Sequence, residues 1–254
     1  MMQAMAGTAL SDYRRLMSQE LASRLSDEII DGSLPPGTWL RQNEIADRYG
    51  TSTTPVREAF KLLEQEGLVR STAHRGVVVH EPTLEEMREL NLIRIPLEVT
   101  ATEHAVPRLT KADLTSLRRS NQALRDARRD DDQPAAIKAN SEFHLTIYAA
   151  AGLPRLYRLI LELRRLSDAY HRLGGLWGPA KGWERSPRQH KELIDACAAG
   201  DGRRAAELMR RHLDDGYASV REKFEQAERS GEPLSEARPR SPASRRLLAG
   251  SAER

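Results

Sequence analysis

Cysteine is almost absent from this sequence: Cys197 is the only one in 254 residues. One thiol excludes an internal disulfide. Its setting, ELIDACAAG, is helical and suits a small core residue. Aromatic residues are scarce at 5%, and no apolar run approaches the ~20 residues that a membrane span needs. Residues 1–10 (MMQAMAGTAL) lack the basic start and the length of a secretory leader. These absences lead to the expectation of a cytoplasmic protein with no membrane partner. A broad basic field is missing too. The formal net charge is +3, but residues 229–254 alone carry six Arg against three Asp or Glu, so the rest sums to zero. Residues 11–80 hold nine Lys or Arg against ten Asp or Glu. Any nucleic-acid binding must come from placed arginines. Finally, there is no H-E-x-x-H, no G-x-S-x-G and no Gly-rich phosphate loop. Glu142 lies two residues from His144, on another face of a helix. The chain is not expected to be an enzyme.

What is present reads as a soluble, mainly α protein, with 39% hydrophobic and 30% charged residues. Leu16, Leu21, Leu25 and Ile29 predict a first helix over 11–32, closed by Gly32. SLPPGTWL is a proline–glycine turn. QNEIADRYG is a short helix ending at Gly50, and TSTT a tight connection. PVREAFKLLEQEG is a helix with Val56, Phe60, Leu62 and Leu63 inward and Gly67 as its stop. LVRSTAHRGVVVHE reads as a small hairpin around His74, Arg75 and Gly76. Pro55 suits a first helical position, which makes Thr54 the N-cap and puts Arg57 in the first turn. A cation there is unfavourable by roughly 0.3–1 kcal/mol. Either Arg57 swings into water or the exception has a function.

Helix, turn, short helix, turn, helix, hairpin is the order of a winged helix-turn-helix, whose third helix enters the DNA major groove N-terminus first. Arg57 then reaches base edges or phosphates, and a bidentate pair with guanine is worth ~1–3 kcal/mol of discrimination. Ser52, Thr53 and Thr54 offer hydroxyls and N–H groups to phosphates. Arg75 at the hairpin tip suits a minor groove.

Thr83-Leu-Glu-Glu86 is a capping box that opens a second, wholly helical region. Helices are predicted near 84–105, 111–129, 134–150, 154–173, 187–199 and 202–228, forming an antiparallel bundle. GGLWGPAKGWERS (174–186) is the longest internal loop, with Trp177 and Trp183 as candidate lid residues. Residues 229–254 read as a disordered basic tail. The expected domains are therefore 11–80 and 84–228. Asn140 and His144 share a helix face at i, i+4, and His190 and His212 sit on later helices. Imidazole suits Zn, Ni and Cu. Spacing alone leaves these histidines open as surface or core groups. Arg94 is either a surface charge paired with Glu98 or a fork for a carboxylate. Tyr148, one turn beyond His144, is placed to line the same pocket.

Residues 29–80 resemble the DNA-binding domain of the GntR family of bacterial transcription regulators. The shared pattern is I-x-x-G-x-L-x-P-G-x-x-L, then E-I-A-x-x-Y-G-x-S-x-T-P-V-R-E-A, L-x-x-E-G-L-V and an x-R-G-x-x-V wing. The resemblance implies DNA contacts by Ser52, Arg57, Arg75 and Gly76. The chain departs from the family at Thr53, where Arg is usual, and at Asn43, where Arg is frequent. Residues 84–228 are similar to the FCD effector domain of the FadR-like subfamily, through Arg94–Glu98, Asn140–His144, the run around His190, and His212. That resemblance implies a divalent metal, Zn or Ni, on Asn140, His144, His190 and His212, with a small carboxylate effector completing its coordination. Asn140 stands where Asp is usual, which removes a charged ligand. The helix-turn-helix class adds the expectation of a homodimer, whose two-fold symmetry matches a palindromic double-stranded operator, and the chain is read as a repressor. A direct metal sensor and a regulator with a purely structural metal remain as alternatives.

Overall fold

The structure, a computed structural model, describes residues 2–30, 32–72, 76–173 and 185–230. Among the described residues the chain forms two compact units, the first taking those up to Pro82 together with 168–173, the second those from Thr83 to Ser167 and 185–230.

The first unit opens with α1 (Met2–Ile30), which starts earlier than the periodicity predicts. Leu21, Leu25 and Ile29 recur every four residues and are buried. Leu16 is 60% exposed, because five residues at about 100° each carry it well off that stripe. Strand β1 (Trp39–Arg41), α2 (Gln42–Arg48), α3 (Thr53–Gln65), β2 (Val69–Thr72) and β3 (Gly76–Val79) follow. The Arg48 guanidinium and the Tyr49 hydroxyl both donate to Glu28, at 2.6 and 2.7 Å, and tie the end of α2 to α1. Gly67, with φ +71°, follows α3 as expected of a left-handed stop. One core joins Leu25, Ile29, Leu40, Ile45, Val56, Phe60, Leu63 and Val77.

The expected hairpin is part of a three-stranded antiparallel sheet, order β1-β3-β2. Trp39 pairs with Val78, and Arg41 with Gly76. Gly76 is buried, and its place is a packing requirement. A Cβ there would lie 2.5 Å from the Leu40 carbonyl oxygen and 2.9 Å from Trp39 Nε1.

The second unit comprises α4 (Leu84–Ala105), a 3-10 turn (Val106–Arg108), α5 (Lys111–Arg129), α6 (Gln133–Ala150), α7 (Pro154–Leu173, to Ser167 in this unit), α8 (Ser186–Ala198) and α9 (Gly202–Ser230). Capping boxes at Thr83–Glu86 and Thr110–Asp113 fix two starts. Asp132 caps α6 by accepting from Ala135 N–H at 3.0 Å. Helix α4 carries Pro96 in its interior. Phe143, Ile147, Tyr148, Ile160, Leu193, Met209 and Leu213 fill the core. Among the described residues, no helix is long and apolar enough to cross a membrane. The wing tip with Arg75, the loop with Trp177 and Trp183, and the expected tail beyond Ser230 lie outside the described residues.

Gly76→Ala is expected to destabilise the first unit by ~1–3 kcal/mol through overpacking. Denaturant titration followed by Trp39 fluorescence checks this, and an unchanged midpoint would show that the sheet has slack there.

Candidate functional site

Ser52, in extended conformation at φ −89° and ψ 165°, is the N-cap of α3. Thr54 is not. Thr53 and Thr54 are already helical, Pro55 still falls within the first turn where its missing N–H costs nothing, and Arg57 moves to the second turn. The dipole objection to Arg57 therefore weakens, since the effect fades beyond the first turn. Ser52, Thr53, Thr54 and Arg57 are all exposed, while Pro55, Val56, Ala59, Phe60 and Leu63 are buried. The same amphipathic helix thus anchors one face and presents hydroxyls and a guanidinium on the other.

In the second unit, α6, α8 and α9 bring His144, His190 and His212 together, each inserted at a position of the apolar core. The His144 and His212 Nε2 atoms are 3.2 Å apart, and those of His190 and His212 3.4 Å. One ligand atom from each of the three lies within 4.8 Å of the others. The ring of Phe143 stacks on His190 at 3.8 Å with planes 4° apart. Asn140, one turn before His144 on α6, is half-buried.

Beside the histidines sits a buried ion cluster. Glu98 is fully buried and accepts from Arg94 at 2.8 Å and from Arg164 at 3.2 Å. The Tyr148 hydroxyl donates to the same carboxylate and lies 3.1 Å from His144 Nδ1. Arg94 donates its second arm to Asn91 at 2.8 Å, and its Nε, also buried, has no hydrogen-bond partner. Arg94 does pair with Glu98, but as a core group, not as a surface charge.

Electrostatics follows from this packing. Burial pushes the Glu98 carboxyl up, but Arg94, Arg164 and the Tyr148 hydroxyl more than offset it, and it stays below the ordinary carboxylate range. Burial lowers all three histidines, and nearby Arg164 lowers them further. His144 and His190 fall well below their usual range and His212 falls to about 4. All three are neutral at pH 7, with lone pairs free for a ligand.

Sequence reasoning missed Arg164, Gln189 and Asp215. Gln189 lies 2.9 Å from His212 Nδ1 through its amide oxygen and donates to Asp215 at 2.6 Å. Nothing in the sequence separates Arg164, 5% exposed, from its exposed neighbour Arg165.

Comparison with known proteins gives both units a family. Residues 17–79 match bacterial regulatory proteins of the gntR family, and residues 89–215 match the FCD domain. The chain is 31% identical over 198 residues to the HTH-type transcriptional regulator McbR of Escherichia coli, covering 78% of this chain and 89% of that protein. It is 29% identical to a probable D-xylose utilization operon transcriptional repressor of Paenarthrobacter nicotinovorans, covering 79% and 88%. The solved structure of E. coli McbR/YncC superposes with a TM-score of 0.71 at 26% identity, covering 82% of this chain and 98% of that one. With both halves matched to the two parts of one regulator architecture, and with relatives that regulate transcription, this chain belongs to the gntR family of bacterial regulatory proteins and is a DNA-binding transcription regulator with an FCD domain.

Proposed function

We propose that this regulator is a homodimeric repressor whose hold on a palindromic operator is set by a small carboxylate effector at a metal site in the helical unit. The convergence of three neutral imidazoles is the observation that carries the reading. Two nitrogen ligands ~2.05 Å from a tetrahedral zinc lie about 3.3 Å apart. The separations of 3.2 and 3.4 Å match that spacing, and the donor set is the one that Zn or Ni takes. His144, His190 and His212 would hold the ion, with Asn140 as a neutral fourth ligand. Bound there, the metal would supply a Lewis-acidic positive charge. The protein's own groups add the guanidiniums of Arg94 and Arg164, both paired with Glu98. A cationic site lined only by neutral ligands favours an anion. Arg94 Nε, buried and without a partner, is a donor still open to it, and Tyr148 lines the same cluster. Binding alters DNA affinity only insofar as the effector prefers one arrangement of the protein over another.

On the DNA side, Ser52, Thr53 and Thr54 position α3 against phosphates and Arg57 reads a base edge. Gly76 serves the wing by fitting where no side chain does. Arg75 completes the expected contacts.

Elemental analysis of protein purified without a chelating tag is expected to find about one divalent metal per chain, lost in the His144→Ala, His190→Ala variant. An equal content in both would remove the site. With genomic fragments enriched by the wild-type protein, Arg57→Ala is expected to lose at least about tenfold in specific affinity, the size of one base contact. Unaltered affinity would overturn the base-reading role. Small carboxylates are expected to release operator from wild type and not from the His144→Ala variant. Release by metal alone would instead identify a direct metal sensor. No response to either, with metal bound, would mark the ion as structural.

A further inference from the structure

We propose that Tyr148 with Glu98, and Gln189 with Asp215, are positioning residues that fix the tautomers of His144 and His212, so that both turn a bare Nε2 toward one point. The proposal deepens the metal reading above and rests on it for its purpose.

Hydrogen-bond polarity decides each step. The Asp215 carboxylate only accepts, so the Gln189 side chain must turn its NH2 group toward it, at 2.6 Å. That leaves the amide oxygen facing His212 Nδ1 at 2.9 Å. An amide oxygen only accepts, so Nδ1 carries the proton and donates. A neutral imidazole has one N–H, so His212 Nε2 is a lone pair. The second relay runs the same way. Glu98, ionised between Arg94 and Arg164, accepts from the Tyr148 hydroxyl. That hydroxyl has a single hydrogen, and the thioether of Met209 at 3.5 Å is a far weaker acceptor for it. Toward His144 Nδ1 the phenol oxygen accepts, so Nδ1 donates across 3.1 Å and His144 Nε2 is bare.

Two bare lone pairs then face each other at 3.2 Å. Acceptor against acceptor at that distance is repulsive in a dry core and is relieved by a cation between them. Outer partners that hold a ligating histidine in one tautomer are the usual companions of metal sites. His190 differs from the other two. Its buried Nδ1 has no hydrogen-bond partner, and stacking on Phe143 holds its ring without choosing a tautomer. His190 is therefore the adaptable ligand, and the two relays define the site.

The test uses full-length protein, Co(II) and Zn(II) against a competing chelator, and Tyr148→Phe and Gln189→Met, which keep side-chain volume and remove the relay atoms. Each is expected to weaken metal binding 10–100-fold, the scale of an outer partner's loss. The Gln189→Met effect is expected to vanish in a His212→Ala background, and the Tyr148→Phe effect in a His144→Ala background. Metal binding by wild type with unchanged affinity in both variants would overturn the relays and leave the metal reading intact. Failure of wild type to bind would overturn the metal reading. The relays have their own check in metal-free protein, by long-range 1H–15N correlation of 15N-histidine-labelled chains. His144 and His212 are expected as Nδ1–H tautomers, and Gln189→Met is expected to shift His212 toward Nε2–H. An Nε2–H signal for either residue in wild type would overturn the proposal.

Discussion

Glu98 is the constraint on which the helical unit depends. A carboxylate with no exposure to water is costly unless it is paired and hydrogen-bonded. Here two guanidiniums and a phenol satisfy it, and they come from three helices: Arg94 on α4 itself, Tyr148 on α6 and Arg164 on α7. Removing any one partner strips a hydrogen bond from a buried carboxylate, a loss of about 1.5–3 kcal/mol. Through Tyr148 the cluster reaches His144, and through His144 it reaches α8 and α9. The buried histidines and their partners are thus not appended to a finished core. They are its polar part, and the bundle cannot place them loosely without paying in stability.

The DNA-reading unit is built on the opposite principle. Its core is almost wholly apolar, and its functional groups point outward from a helix whose other face is buried. Affinity for DNA then depends on that exposed face, while the buried polar chemistry belongs to the helical unit. The two units draw on separate sets of residues, so Thr53 lies apart from the histidines and Asn140 apart from α3.

Much of this was legible in the sequence, for local reasons. Helix starts at 84 and 111 were readable because Thr83 and Thr110 cap them with side chains from the same turn. Gly67 and Gly50 marked stops through the left-handed conformations they adopt. The start of α3 was misplaced because Ser52, Thr53 and Thr54 are all good caps, and only the backbone chooses among them. Strand β1 was invisible: three residues after a proline–glycine turn become a strand only by pairing with β3, more than thirty residues away. The histidines could be found by residue type, but their convergence could not be derived from spacing. Arg164, Gln189 and Asp215 gave no signal at all, since long-range partners of a buried charge or an amide look like ordinary helix-surface residues.

Pro96 adds a mechanical property to α4. It lies between Arg94 and Glu98 and has no N–H to offer the Leu92 carbonyl one turn back. The helix that carries two members of the ion cluster therefore lacks the rung between residues 92 and 96, which overlaps the span from Arg94 to Glu98. Bending stiffness in a helix comes from its ladder, and a missing rung lowers it locally. Any displacement of Arg94 relative to Glu98 therefore meets one backbone hydrogen bond fewer than it would in an unbroken helix.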